Sequence, residues 1–400
     1  MNASSASAGL PFNSAVFRWA RERRGLSVED VADSFNSQIE KIVQWESGAK
    51  CPTINQARKL AKIYDRPFLE FFAQSVPNVP DVQLVPDFRF YPTPPSATET
   101  FALKEVQIWA EEQRLNAISL LQEIGEDAPA WSSNLKFDVS FDVEEAARRT
   151  REVLGFPIGD QLSLLSDQKI QLPLIIRAKL ENAGILVLKQ TGIAKLRTRG
   201  ICMFASPLPI IVFGGEAPSA QAFTLAHELG HILLGISGIS GPPRFGKKVK
   251  SPTKAVENWC NRFAASFLIP KDHLLAAIPK PSTPYDSFDD TKLEKLSKQF
   301  SVSRHAMLIR LVNLGYVKSS YYWHIKRPEF LREEEKFESF GRTLYYGSRY
   351  VNSRGRFYTG LVLEAWESGY ITSHNAAEYM GIKNLEHLRD IRDNFGISNA

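Results

Sequence analysis

Two histidines and one glutamate stand at a spacing that suits metal chemistry. In the segment TLAHELGHILLG, residues 224–235, His227 and His231 are four residues apart and Glu228 follows the first histidine. Because positions i and i+4 of an α-helix share one face, the two imidazoles could bind a single ion. Glu228 points roughly 100° away on the helical wheel, beside the ion but outside its ligand shell. The spacing therefore predicts a catalytic metal ion, with Glu228 as the general base acting on its water.

A third protein ligand must come from elsewhere in the chain, because catalytic zinc uses three and leaves one position open. Glu257 lies 26 residues after His231, in the predicted helix ENWCNRFAA. His273 is a competing ligand, but it follows Pro270 and lies off that helix face. Asn261 stands one turn after Glu257, where its amide could hydrogen-bond a ligand histidine and fix the tautomer. We therefore expect Glu257 to complete the ligand set.

The competing interpretation is an ordinary core helix whose two histidines are satisfied by hydrogen bonds. A single histidine deserves that interpretation, but here both histidines, Glu228 and Gly230 occur together and a glutamate-bearing helix follows. A glycine at position 230 lets a neighbouring backbone approach closely. We therefore predict a helix that belongs to the core and also holds a metal ion.

The elements around this motif predict an α+β fold. Helical periodicity marks TFALKEVQIWAEEQRLNAISLLQEIGED and VEEAARRTREVLGF, whereas the short runs AGILVLKQ, GICMFA and LPIIVFG are rich in β-branched residues and are predicted strands. Helices beside a small sheet make a domain over residues 99–320, followed by a helical C-terminal region over 321–400. The run LPIIVFG could be an exposed edge that binds peptide by strand addition, or a plain core strand.

Residues 10–74 show a different organisation, with four or five short helices separated by tight turns. Gly25 and Gly48 are placed to end helices, and Ser27 is placed to begin one. Short helices connected in this way are typical of a helix-turn-helix unit. The next residues, 75–98, contain six prolines and are predicted to form an extended linker.

The composition is that of a water-soluble protein with two or three domains. The 400 residues carry a net charge of +5, which permits nucleic-acid contact without demonstrating it. The three cysteines form no CxxC pair, so neither a disulfide framework nor a cysteine-based zinc site is indicated. The N-terminus has no signal-peptide pattern, and no apolar run approaches the roughly 18 residues of a membrane span. We expect a cytoplasmic protein that does not associate with membranes.

The segments AFTLAHELGHILLG, ENWCNRFAASFLIP and FSVSRHAMLIRLVNLGYV resemble the ImmA/IrrE family of zinc metallopeptidases. The resemblance extends from residue 100 to residue 317 and continues into the tail. It implies a gluzincin-like fold with Zn²⁺ as cofactor, His227, His231 and Glu257 as its ligands and Glu228 as the base. Active members of this family cleave helix-turn-helix repressors, which implies a repressor-like or co-encoded protein as the substrate.

The stretch from FRWARERRG to IYDRPF, residues 17–68, resembles the Xre-type (Cro/C1-like) helix-turn-helix family. The family signature E-x-G-x-x-x-P falls on Glu46, Gly48 and Pro52. The resemblance implies a recognition helix from Gln38 to about Trp45 and DNA binding through this N-terminal domain. It also allows a homodimer, since such domains usually work in pairs on two half-sites.

The candidate DNA contacts of this domain lie on the recognition helix and at the end of the first helix. Gln44 could pair bidentately with adenine, and Arg24 could contact a backbone phosphate. The apolar Ile39 and the acidic Glu40 weaken DNA binding, so the rival interpretation is that this fold recognises a protein, for example by mimicking the repressor that is cleaved. The residues proposed to contact DNA are Gln38, Lys41, Gln44 and Arg24.

The leading hypothesis is a DNA-tethered zinc endopeptidase that cleaves a regulatory protein and so controls transcription. The alternative is a non-catalytic DNA-binding regulator or antitoxin that keeps the peptidase fold to bind a partner, since members with this domain order occur in toxin–antitoxin-like settings. The intact HELGH favours catalysis, because a binding module has no need of Glu228. A second donor to the reacting carbonyl oxygen is also needed, and His305, Arg262 and the tail tyrosines are equal candidates.

Overall fold

The computed structural model describes residues 12–64, 66–77, 85–88, 96–129, 131, 135–164, 171–241, 252–335 and 346–397. The described parts of Met1–Gln83 and Thr93–Gln107 form one compact unit, and those of Leu84–Pro92 and Ile108–Ala400 form a second. No helix in these ranges is long and apolar enough to span a bilayer. The predicted α+β class is confirmed, because many helices accompany a single four-stranded sheet.

Short helices build the first unit, as the sequence predicts. Ser27 begins the second helix, where its hydroxyl accepts a hydrogen bond from the Asp30 amide at 3.1 Å and the Asp30 carboxylate accepts one from the Ser27 amide at 2.8 Å. Arg21 and Glu46 form a bidentate pair at 2.6 and 2.9 Å that ties the third helix to the first. The elements are α1 (Ser14–Arg23), α2 (Val28–Ser34), α3 (Ile39–Glu46), α4 (Ile54–Tyr64) and a 3₁₀ helix (Phe68–Phe72).

A long helix, α5 (Ala97–Ile124), has its first turns in the first unit and the rest in the second. The second unit then alternates helices with short strands up to the helical pair that carries the metal motif, and ends in helices alone. Its remaining elements are α6 (Val143–Val153), α7 (Ile158–Leu162), α8 (Leu172–Asn182), β1 (Leu186–Lys189), a 3₁₀ helix (Thr191–Leu196), β2 (Gly200–Met203), β3 (Ile210–Phe213), α9 (Pro218–Leu234), β4 (Gly238–Ser240), α10 (Pro252–Leu268), α11 (Lys271–Ala277), α12 (Asp290–Gln299), α13 (Arg304–Asn313), α14 (Ser319–Tyr321), a π-helix (Tyr322–Lys326), α15 (Arg327–Glu335), α16 (Tyr346–Arg354), α17 (Arg356–Glu367), α18 (Ser373–Met380) and α19 (Glu386–Ile397).

The sheet has the strand order β1-β3-β2-β4, in which β1 runs parallel to β3 and β2 runs antiparallel to both β3 and β4. The run LPIIVFG contains β3, which lies between two strands with all four residues buried. It is therefore a core strand and not an exposed edge. Three of the strands follow the predicted apolar runs, whereas β4 is too short to give a periodic signal.

Part of the predicted linker is attached to this sheet. The amide of Ile239 in β4 donates to the carbonyl of Pro86 at 2.9 Å, and the amide of Phe88 donates to the carbonyl of Ile239 at 3.0 Å. Asp87 and Ile239 consequently form a parallel bridge. The prediction of an extended linker over residues 75–98 thus fits an extended segment here, but this segment is paired; residues 78–84 and 89–95 lie outside the described residues.

Helices α9 and α10 pack directly against each other in the core. Every residue of α9 from Gln221 to Leu234 is buried, so the helix is covered by the core on all sides. Gly230 faces α10, where a Cβ atom would lie 3.2 Å from both Cα and Sγ of Cys260. The expectation that this glycine permits a close backbone approach is confirmed.

The C-terminal region is helical, as predicted, and packs on α8 and β1. A buried pair on α8 holds it: Arg177 donates to Glu181 at 2.9 Å and also to the carbonyl of Asn352. The Glu181 carboxylate in turn accepts hydrogen bonds from the amides of Arg356 and Phe357, both at 3.1 Å. These bonds fix the start of α17 beside the β1 side of the sheet.

Replacing Gly230 by alanine should force α9 and α10 apart by a few tenths of an ångström. We expect Gly230→Ala to lower the free energy of unfolding by about 1 to 3 kcal/mol, as overpacked cores do. Gly159→Ala is the matched control, because a Cβ there would have no atom within 4 Å, and it should be neutral or stabilising by up to about 1 kcal/mol. Denaturant unfolding measures both; equal effects of the two substitutions would contradict the packing argument.

Candidate metal centre and nucleic-acid interface

Side chains from α9 and α10 converge at one point in the second unit. The rings of His227 and His231 lie on one face of α9 with centroids 5.1 Å apart. Helix α10 brings the Glu257 carboxylate to both rings: its oxygens lie 3.1 Å from Nε2 of His231 and 3.6 Å from Nε2 of His227. One ligand atom from each of the three residues lies within 4.8 Å of the others.

These three groups fit a divalent metal ion. Two imidazole nitrogens and one carboxylate oxygen are a ligand set of catalytic zinc, which keeps a further position open. Nε2 of His227 is buried, and within the described ranges it has no hydrogen-bond partner, so a ligand atom is available to an ion. Both histidines are buried, and the Glu257 side chain is only 12% exposed. The site is therefore dry enough for metal–ligand bonds to be strong.

The electrostatics of the cluster indicate a place for positive charge. Burial raises the pKa of Glu257, but the neighbouring His227 and His231 outweigh burial and lower it to about 2. Burial likewise lowers the pKa of His227, yet the adjacent Glu257 carboxylate outweighs it and raises this pKa. The cluster thus stabilises an added cation, which in the metal-free protein is a proton.

Glu228 lies beside this cluster and is completely buried. Its carboxyl packs on the backbone of Gly200 in β2, where any side chain would collide with it. Neither carboxyl oxygen makes a hydrogen bond of normal geometry with the described residues, although the Ser240 hydroxyl is close enough to help lower the pKa of Glu228. Burial raises the pKa of Glu228, and positive charge on His227 and His231 opposes that effect. A carboxyl group with a raised pKa is suited to accept and release a proton during a reaction.

The structure places the other sequence candidates as follows. Asn261 is buried one turn after Glu257, and its side chain is close enough to His227 to help raise the pKa of that imidazole. His273 is exposed on α11 and is not part of the cluster. Of the candidate second donors, His305 is buried elsewhere with its ring nitrogen 2.9 Å from the hydroxyl of Tyr322.

A small cavity of about 10 Å³ adjoins Glu228, which is room for about one water molecule. Among the described residues, neither Arg262 nor a tail tyrosine lines this cavity. Arg199 and Ser240 do line it, and sequence reasoning missed both. Arg199 donates to Glu216 at 2.9 Å, and the Ser240 hydroxyl lies 3.4 Å from Nε2 of His231. No motif marks them, because each reaches the site through sheet pairing.

The predicted recognition helix corresponds to α3, with Gln38 as its N-cap residue. Gln38 is exposed, and Lys41 and Gln44 are half-buried on the same helix. The Lys41 ammonium lies 5.3 Å from the ring centroid of Trp45, which holds its stem against the helix. These three residues are accessible for contact. The helix also exposes apolar surface at Ile39, which is 41% exposed.

Arg24 is engaged within the first unit. Its guanidinium forms an ion pair with Glu105 on α5 and lies 4.8 Å from the ring centroid of Phe101. Contact with a DNA phosphate would therefore have to compete with the Glu105 carboxylate. No local sequence pattern indicates the pair of Arg24 with Glu105, because the two residues are far apart in the chain.

The short-helix unit has the organisation of a helix-turn-helix domain, and the histidine–glutamate cluster has the ligand set of a metallopeptidase-type domain. Family comparison agrees: residues 196–312 match the peptidase M78 model described as IrrE N-terminal-like domain, and residues 17–71 match the model described as Helix-turn-helix. Both resemblances seen in the sequence are confirmed, and the two matches support a DNA-binding regulator with an IrrE-like peptidase domain. The M78 peptidases are generally zinc-dependent. No match to a curated protein was found.

Replacing the buried Glu228 by its amide should stabilise the metal-free protein. The folded-state pKa lies above the usual 4.5, so the folded state binds the extra proton and its stability falls as pH rises above 4.5. In chelator at pH 7, we expect the free energy of unfolding of Glu228→Gln to exceed that of wild type by about 1 kcal/mol or more, which thermal unfolding measures. This difference should shrink below pH 4.5. The exposed Glu378→Gln is the control. A variant less stable than wild type at pH 7 would contradict the inference.

Substitutions in the first unit should separate base contact from phosphate contact. We expect Gln44→Ala to reduce discrimination between DNA sequences by about 1 to 3 kcal/mol while non-specific binding is retained. Because Glu105 pairs with Arg24, Arg24→Ala should change the salt slope by less than the roughly one unit of a full phosphate contact, and Glu105→Gln should strengthen binding. Fluorescence anisotropy at several salt concentrations measures all three. Absence of any salt-dependent DNA binding would favour recognition of a protein partner.

Proposed function

We propose that this chain is a zinc-dependent endopeptidase, tethered to DNA by its helix-turn-helix domain, that cleaves a regulatory protein and thereby alters transcription. The observation that carries the proposal is the convergence of His227, His231 and Glu257 beside the buried Glu228, whose oxygens make no hydrogen bond of normal geometry with the described residues. An unpaired buried carboxylate is costly, so it is retained where a reaction needs it.

The residues of the cluster would divide the work in the following way. His227, His231 and Glu257 would hold zinc, which supplies Lewis acidity to the scissile carbonyl and to an attacking water. Glu228 takes a proton from that water and then gives it to the leaving amine, a role that its raised pKa suits. Asn261 holds His227 in the orientation that ligation needs.

Arg199 is our candidate for the second donor to the developing negative charge. Its guanidinium is held by Glu216, whose other oxygen accepts from the hydroxyl of Thr224 on α9 at 3.0 Å. The arginine is therefore fixed relative to the helix that carries the histidines. A positioned cation in a site that excludes water stabilises an oxyanion far more than one in solution.

The DNA-binding part of the proposal rests on α3. Gln38, Lys41 and Gln44 would contact DNA, with Gln44 reading a base edge. The match to the helix-turn-helix family supports DNA binding by this unit. The substrate would be a protein, either a helix-turn-helix repressor or a protein encoded nearby, since the peptidase family match supports a protein substrate.

One observation favours the alternative, a non-catalytic regulator or antitoxin that uses the peptidase fold to bind a partner. The cavity beside Glu228 has room for about one water, so a peptide does not fit there without rearrangement. A binding module would tolerate such a closed site. It would gain nothing from an unpaired Glu228, however, and for that reason we place it second.

The decisive experiment combines metal analysis with cleavage. Wild-type protein purified without chelator should contain about one zinc per chain, and Glu257→Gln should contain much less. Glu228→Gln should keep zinc but cleave candidate repressor-like or co-encoded proteins roughly 10² to 10⁴ times more slowly. The exposed Glu378→Gln should behave as wild type. Zinc-free wild type, or cleavage by Glu228→Gln at the wild-type rate, would overturn the peptidase proposal.

A further inference from the structure

The outer edge of β4 carries a short segment of the chain itself. Val85–Phe88 lies along β4 in the parallel direction, joined by the backbone hydrogen bonds between Pro86, Phe88 and Ile239. Pro86 and Asp87 are exposed, whereas Phe88 is 9% exposed. Main-chain pairing and the buried Phe88 side chain both hold the segment, which is how an added peptide strand binds to a sheet edge.

The anchoring side chain occupies a place shaped for an aromatic ring. The Phe88 ring stacks on the imidazole of His231, with centroids 5.5 Å apart and planes 6° from parallel. It lies over Gly238, where any side chain would collide with it. The φ angle of Gly238 is not positive, so the backbone conformation does not require a glycine here. The glycine instead leaves space for the Phe88 ring. This place, formed by Gly238 and the His231 ring, is called the aromatic place below.

The β4 edge is also the edge that leads to the candidate metal cluster. The Ser240 hydroxyl, at the end of β4, lies 3.4 Å from Nε2 of His231 and lines the cavity beside Glu228. The opposite edge of the sheet, at β1, is covered by the C-terminal region: Ser353 donates to the carbonyl of Lys189 at 3.1 Å. A peptide that reaches Glu228 by strand addition must therefore lie on β4.

We propose that the outer edge of β4 is the peptide-docking site of this domain, and that it takes an extended protein segment with an aromatic side chain in the aromatic place. Val85–Phe88 occupies this site in the free protein, and a substrate has to displace it. The inference rests on the proposed peptidase function only in naming the docked peptide as substrate; docking itself requires no metal and no cleavage.

Displacement of Val85–Phe88 is a competition between a tethered and a free peptide. A short tether gives the internal segment an effective concentration in the millimolar range, so a free peptide binds weakly while Phe88 is in place. Burial of a phenyl ring corresponds to a factor of about 10 to 100 in an equilibrium constant. Removal of the Phe88 ring should therefore expose the site to a free peptide, and removal of the ring from that peptide should weaken its binding.

The test uses the full-length chain with Glu228→Gln, so that bound peptide is not cleaved. The probe is a fluorescein-labelled peptide QLVPDFR, the sequence of residues 83–89. The control peptide has alanine in place of the phenylalanine. We expect Phe88→Ala to bind QLVPDFR at least about tenfold more tightly than the parent with Phe88 intact. The alanine peptide should bind Phe88→Ala at least about tenfold more weakly than QLVPDFR does. Fluorescence anisotropy measures each affinity.

Filling the aromatic place is the second arm of the experiment. Gly238→Ala combined with Phe88→Ala should lose the preference for the aromatic peptide, whereas Gly192→Ala combined with Phe88→Ala should keep it, because a Cβ at position 192 would have no atom within 4 Å. Circular dichroism and thermal unfolding identify variants that fail to fold. The proposal is overturned if Phe88→Ala binds both peptides equally, or if a folded Gly238→Ala variant keeps the preference.

The outcomes separate this inference from the proposed function. Peptide docking with the aromatic preference, in a protein that neither holds zinc nor cleaves, supports the β4 site and overturns the peptidase. Zinc content and cleavage without any docking of QLVPDFR to Phe88→Ala support the peptidase and overturn the β4 site.

Discussion

The close packing of α9 against α10 is the constraint on which the second unit depends. Because Gly230 has no side chain, the backbone of α10 reaches α9 at Cys260, one turn beyond Glu257. That approach sets the Glu257 carboxylate against two imidazoles in the dry interior of the domain. Isolated buried charges each cost several kcal/mol, so these groups are tolerated only as a mutually compensating cluster. The geometry of the candidate site and the stability of the core are consequently set by the same contact.

Glu228 shows the opposite balance. It is as deeply buried as the histidines, but its oxygens make no hydrogen bond of normal geometry with the described residues, and burial raises its pKa. Such a group destabilises the metal-free fold. The neighbouring strand nevertheless accommodates it, because Gly200 on β2 has no side chain and leaves space for the Glu228 carboxyl. Active sites commonly include a group that lowers the stability of the fold because the reaction needs its proton exchange. This balance is why we favour catalysis over a role in partner binding alone.

Local sequence patterns predicted a large part of this structure, and the failures have one physical cause. The histidine spacing, the capping of α2 by Ser27 and the β-branched strands depend on residues close in the chain, so they are legible in one dimension. The bond from Ile239 to Pro86, the stacking of Phe88 on His231 and the pair of Arg24 with Glu105 join residues far apart, which no local pattern encodes. Strand β4 was missed because three residues are too few to show a period.

The two edges of the sheet are protected in unequal ways, and the difference bears on how the domain works. At β1, the C-terminal helices are fixed by the buried Arg177–Glu181 pair, whose loss would leave unpaired charges inside the protein. At β4, the backbone hydrogen bonds with Ile239 and the Phe88 ring are among the contacts that hold the internal segment, and Pro86 and Asp87 are exposed. Segments with few buried contacts open at much lower free energy than the core does. The proposed strand exchange therefore belongs to the β4 edge, beside the histidine–glutamate cluster, and not to the β1 edge.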